Sequence, residues 1–81
     1  MNLIELTKFL VQNLVKDKDS ISVEQVNNDD EIIIQIFVSD SDMGSIIGKN
    51  GNIANALRTI IQACSYANKL GRIRINIDAK E

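Results

Sequence analysis

Apolar residues recur at Leu3, Leu6, Leu10 and Leu14, flanked by Ile4, Phe9, Val11 and Val15, while Glu5, Lys8 and Gln12 take the opposite side. This is the spacing of an amphipathic helix, expected over about residues 2–16 and ended by the Lys16-Asp17-Lys18-Asp19-Ser20 stretch. The period then changes to two. Ile21 and Val23 alternate with Ser22 and Glu24, predicting a strand over about 21–27. Asn27-Asn28-Asp29-Asp30 has turn chemistry, because Asn and Asp tolerate left-handed backbone. Over about 31–39 a second strand places Ile32, Ile34, Ile36 and Val38 on one face, with Ile33 and Phe37 on the other suggesting cover on both sides.

Asp40-Ser41-Asp42 supplies candidate helix caps, and a short helix is expected over about 41–47. After Gly48 the helical period returns, from about 52 to 69, in Ile53, Ala56, Leu57, Ile60, Ile61, Ala63, Cys64 and Ala67. These residues fill an arc of about 180°, wider than the roughly 100° that a single core contact requires. Ile61 lies at one edge of that arc, where it either packs in the core or buries against another subunit. Gly71 has the place of a helix-ending glycine. Ile73, Ile75 and Ile77 then alternate with Arg72, Arg74 and Asn76, giving a strand over about 72–78.

The predicted order is α-β-β-α-α-β. The second and third strands flank a two-helix crossover, so they should run parallel with a right-handed connection. With 81 residues the chain forms one domain, expected to span 1–81, and is too small for two full helical layers. The fold class is therefore α+β: a three-stranded mixed sheet with three helices packed on one face.

Charge divides unevenly. Residues 1–42 carry three Lys and nine acids, whereas residues 43–81 carry six basic residues and two acids. A basic half suits an anionic ligand; chance clustering on a solvated surface is the alternative. Histidine is absent and there is one cysteine, which removes histidine zinc sites, Ser-His triads and Cys-His dyads. No metal site, cofactor or catalytic residue is expected. Cys64 reads as a small core hydrophobe. No apolar run approaches the roughly 18 residues of a membrane span, and no basic-then-apolar leader opens the chain. These features predict a cytoplasmic, non-catalytic binding domain.

The informative segment is Gly44-Ser-Ile-Ile-Gly48-Lys49-Asn50-Gly51-Asn-Ile53-Ala54. Gly48 admits positive φ, Gly51 lets backbone at the start of a helix approach a phosphate, and Lys49 adds a charge at the tip. A Walker loop is excluded, because three residues rather than four separate Gly44 from Gly48 and Asn rather than Ser or Thr follows Lys49. A dinucleotide fingerprint is absent. Alone, G-x-x-G reads equally as a helix C-cap and tight turn.

Between two helices and flanked by strands, Ile46-Ile47-Gly48-Lys49-Asn50-Gly51-Asn52-Ile53 resembles the I-G-x-x-G-x-x-I core of the K-homology (KH) domain, with one residue fewer before the final Ile. The N-terminal helix and strand match the type II form. Asp42-Met43-Gly44, Ala56-Leu57-Arg58-Thr59 and the chain length resemble the bacterial single-KH family KhpA (YlqC-like). The resemblance implies binding of single-stranded RNA across the helix–loop–helix. Gly48, Lys49, Asn50 and Gly51 would be the clamp, Ile47 and Ile53 the groove floor, and Ala54 a small residue beside it. Arg58, four residues after Ala54, lies within reach of a phosphate or on a solvated face. Phe9, Phe37 and Tyr66 are expected away from the loop, without base stacking on a ring. The resemblance further implies a post-transcriptional regulator or RNA chaperone. It would work as a homodimer, or as a heterodimer with a larger KH-containing protein of the KhpB/Jag type. A protein-interaction adaptor with a vestigial groove is the alternative.

Overall fold

The computed structural model describes residues 2–80. Helix α1 (Leu3–Gln12) leads through a 3-10 turn (Lys18–Ser20) into β1 (Ser22–Asn27) and β2 (Glu31–Ser39). A second 3-10 turn (Asp40–Asp42) precedes α2 (Met43–Ile47). A third (Lys49–Gly51) joins it to α3 (Asn52–Ala67), and β3 (Arg72–Lys80) follows. The sheet order is β1-β2-β3, with β1 antiparallel and β3 parallel to the central strand. This α+β arrangement, with the helices over one face of a mixed sheet, is consistent with a type II KH fold.

The core forms where the apolar stripes of the helices meet the Ile row of β2. Val11, Ile34, Ile36, Val38, Ile46 and Ile61 are fully buried, with Leu3, Val15, Val23, Leu57 and Ile75 nearly so. On α1 the buried stripe is Leu3, Thr7 and Val11, continued by Val15 beyond the helix. Leu6, Leu10 and Leu14 are half-buried. Thr7 is tolerated there because its hydroxyl donates to the Leu3 carbonyl at 2.7 Å.

Several expectations change. Helix α1 stops at Gln12 rather than near residue 16. The Asn13 side chain donates to the Phe9 carbonyl, and the backbone amides of Lys16 and Asp17 are taken by the carboxylate of Asp42, at 3.1 and 3.0 Å. Asp42 therefore makes no side-chain cap to α2. It is instead a buried bracket that ties the end of the first helical segment to the start of the second. The Ser39 hydroxyl also donates to it, at 2.8 Å.

Helix α3 closes with Lys69, not Gly71, in the left-handed conformation (φ 57°). The Leu70 amide donates to the Ser65 carbonyl, the long bond of a Schellman motif. The buried Ser65 hydroxyl then donates to the Gly71 carbonyl at 2.9 Å, fixing the entry into β3. Ile33 and Phe37 are half-buried on the sheet face opposite the core row, which the helices leave open.

Of the two places open to Ile61, the structure shows the core. Ile61 has no exposed surface, because α3 packs against both α1 and β3 along its Ala54, Leu57, Ile61 and Ser65 stripe, while Ala56, Ile60, Ala63 and Ala67 stay exposed. The large apolar residues exposed at this end of the chain are Ile60, Tyr66 and Leu70.

Candidate nucleic-acid interface

The turn between α2 and α3 is built from backbone conformations that few residue types accept. Gly48 has φ 72° and ψ −179°, a region essentially reserved for glycine. A side chain there would also strike Ile53: a Cβ would stand 2.9 Å from the Ile53 Cβ and 3.0 Å from its backbone nitrogen. Asn50 (φ 57°) and Gly51 (φ 77°) then both adopt positive φ. This sequence turns the chain so that α3 starts without a side-chain cap. The Gly51 and Asn52 amides are used inside the turn, on the Gly48 and Lys49 carbonyls, and the dipole of α3 favours an anion beyond it.

A groove of about 520 Å³ opens in front of this turn. One wall is Ile47, Asn50, Gly51, Ala54 and Arg58; the other is the exposed edge of β3 from Ile75 to Asp78. The open strand edge presents unpaired backbone donors and acceptors along the groove. Ile47 is 40% exposed and supplies an apolar surface, while buried Ala54 keeps the wall low.

Of the residues singled out in the sequence, Ile47, Asn50, Gly51, Ala54 and Arg58 therefore share one groove. Lys49 is exposed at the loop tip, and Gly48 lies behind it. Ile53 is placed differently: half-buried, it packs under Gly48 and against the core rather than on the groove wall. Asp78, not anticipated in the sequence, lines the groove and accepts from Gln35 Nε2 at 2.9 Å.

Charge follows the same line. The Arg58 guanidinium donates to Asn55 Oδ1 at 3.1 Å and has no acidic partner among the described residues. Arg74 forms a loose pair with Glu31 at 3.9 Å, of little energetic weight at this exposure. Among the described residues, no cluster of three or more His, Cys, Asp or Glu is placed to hold a metal ion, and no helix is long and apolar enough to cross a membrane.

Residues 4–78 match the family model described as KhpA/KhpB, KH domain. The chain is 41% identical over 64 residues to the RNA-binding protein KhpA of Borreliella burgdorferi, covering 79% of this chain and 78% of the relative. It is 38% identical over 65 residues to the RNA-binding protein KhpA of Caldanaerobacter subterraneus, covering 80% and 87%. The same name belongs to a relative in Aquifex aeolicus, 35% identical over 71 residues and covering 88% and 84%. This is a family of binding modules, not an enzyme family. The groove, the glycine turn and the matched residues lead to one conclusion: the chain belongs to the KhpA/KhpB KH-domain family.

Proposed function

We propose that this protein binds single-stranded RNA, without catalysis, by clamping the sugar–phosphate backbone at the turn Gly48-Lys49-Asn50-Gly51 and laying bases along the groove toward Arg58. The observation that carries this reading is the uncapped start of α3 at a glycine turn, with Lys49 at its tip and the open edge of β3 across the groove. The relatives named as RNA-binding proteins support it. Ile47 and Ala54 provide the apolar floor, and Arg58 meets a phosphate further along.

The role that fits is a cytoplasmic post-transcriptional regulator or RNA chaperone. It acts as a homodimer, or as a heterodimer with a larger KhpB-type protein, through a surface other than Ile61. The test is fluorescence anisotropy with short single-stranded RNAs over a salt series. It compares the wild type with Lys49→Asp/Asn50→Asp after circular dichroism establishes that the variant folds. With two to three phosphates neutralised, log K falls against log salt with a slope of about −2, at roughly 0.7 per phosphate. The folded variant is expected to lose binding. Equal binding by both proteins refutes the clamp and leaves the adaptor reading.

A further inference from the structure

The groove does not end at Arg58. A second hollow of about 360 Å³ continues it along the same two elements, lined by Arg58, Gln62 and Tyr66 of α3 and by Arg72 and Arg74 at the start of β3, with Glu31 beyond. Arg58 and Ile75 belong to both hollows, so the two form one track. Resting on the RNA-binding reading above, we propose that this continuation is a second binding segment for RNA. In it Tyr66 stacks a base downstream of the clamped nucleotides, while Arg72 and Arg74 hold the backbone.

Three features of the molecule carry the assignment. Arg58, Gln62 and Tyr66 follow one another at intervals of four on α3, so they form one stripe facing the strand. At about 1.5 Å per residue the stripe is about 12 Å long. That is room for about two nucleotides of a partly extended strand, whose fully stacked spacing is about 3.4 Å.

Secondly, Tyr66 is the most exposed large apolar or aromatic side chain among the described residues, at 67%. An exposed ring beside a basic channel is the arrangement by which proteins hold unpaired bases with little sequence preference. Thirdly, the positive charge at this end exceeds what the protein itself neutralises: Glu31 pairs loosely with Arg74, and Arg58 and Arg72 have no acidic partner among the described residues. Tyr66 lies away from the glycine loop, as expected, and its place is further along the track.

Tyr66 is the only tyrosine and the chain has no tryptophan, so intrinsic fluorescence reports this residue alone. The experiment titrates the full-length protein with four- and eight-nucleotide oligoadenylates, reading anisotropy of labelled RNA and tyrosine emission with unlabelled RNA. Tyr66→Ala is expected to weaken the eight-nucleotide complex about fivefold or more while leaving the four-nucleotide complex unchanged. Tyr66→Phe should restore the affinity. Any gain from extra registers on the longer RNA is common to all three proteins and cancels.

In the wild type, tyrosine emission should be quenched by the longer RNA and not by the shorter. Unchanged affinity of Tyr66→Ala for the longer RNA, with no quenching in the wild type, overturns the second segment. If Lys49→Asp/Asn50→Asp still abolishes binding in that case, the clamp stands without the extension. Failure of the wild type to bind either RNA overturns both.

Discussion

Gly48 and Gly51 are separated by two residues and both have positive φ, yet replacing each by alanine should do different things. At position 48 the conformation (φ 72°, ψ −179°) is disfavoured for any side chain by roughly 1–3 kcal/mol. In addition, the new methyl would stand 2.9 Å from the Ile53 Cβ and 3.0 Å from its nitrogen. Neither atom belongs to a flexible tip, so the start of α3 must shift, an overpacking strain of about 1–3 kcal/mol. Position 51 is left-handed (φ 77°, ψ 11°) with nothing within 4 Å of the would-be methyl. Only the backbone term of about 1–2 kcal/mol applies there. A domain of this size has on the order of 4–12 kcal/mol of total stability. Gly48→Ala should therefore remove a large share of it, and Gly51→Ala a small one. Urea unfolding followed by circular dichroism measures this directly. With a slope of about 1 kcal/mol per molar, the overpacking difference of about 1–3 kcal/mol separates the two midpoints by roughly 1–3 M. RNA binding should split the other way: Gly51→Ala stays folded but binds weakly, because its methyl projects where a phosphate approaches. A Gly48→Ala midpoint equal to that of Gly51→Ala would refute the close-contact argument at Ile53.

Three further outcomes are expected. The carboxyl of Asp42 is held below its ordinary value, foremost by the backbone amide of Lys16, then by that of Asp17 and the Ser39 hydroxyl, against an opposing contribution from burial. Its stabilisation is thus fully present above about pH 4 and is lost as pH falls through the lowered folded-state value. Asp42→Asn should lower Tm at pH 7, with the gap to wild type closing in strong acid; a gap independent of pH would contradict this. Ile61→Ala should destabilise by about 2–5 kcal/mol as a core cavity, while the neighbouring, half-exposed Ile60→Ala changes unfolding far less. Arg58→Gln should reduce the magnitude of the salt slope for RNA by about 0.7, the contribution of one phosphate contact, and an unchanged slope would place Arg58 off the track.

The legible parts of the chain were those whose cause is local. Ile73, Ile75 and Ile77 alternate strictly, and β3 forms there. The glycine turn carries its own conformational demand at Gly48 and Gly51, and it sits where the spacing placed it. What escaped depends on partners far along the chain. Asp42 looks like a helix cap in its own neighbourhood, but its bonded amides are 26 and 25 residues away. Ile61 lies at the edge of an apolar arc when α3 is considered alone. It becomes the centre of a contact only once α1 and β3 close on two sides of that helix. Nothing in the sequence singled out the stripe Arg58-Gln62-Tyr66. Its meaning appeared only when α3 ran back along β3 and set the ring opposite Arg72. The left-handed Lys69 is a local exception: a glycine two residues on was the natural stop, and the bond from Leu70 back five residues to Ser65 moved it.

The ladder between β2 and β3 has a consequence in time. Every pair in it, from Glu31 with Arg72 to Ser39 with Lys80, joins residues 41 positions apart. The hairpin pairs of β1 and β2 lie between 5 and 15 positions apart and close early. On a translating ribosome adding about 5–20 residues per second, β2 therefore waits about two to eight seconds for its second neighbour. Throughout that interval the most isoleucine-rich strand of the protein has one bare edge, open to the same strand of another nascent copy. Many chains started close together should divert product into aggregates during this wait; fewer starts at the same elongation rate should recover it, with no change in the sequence at all.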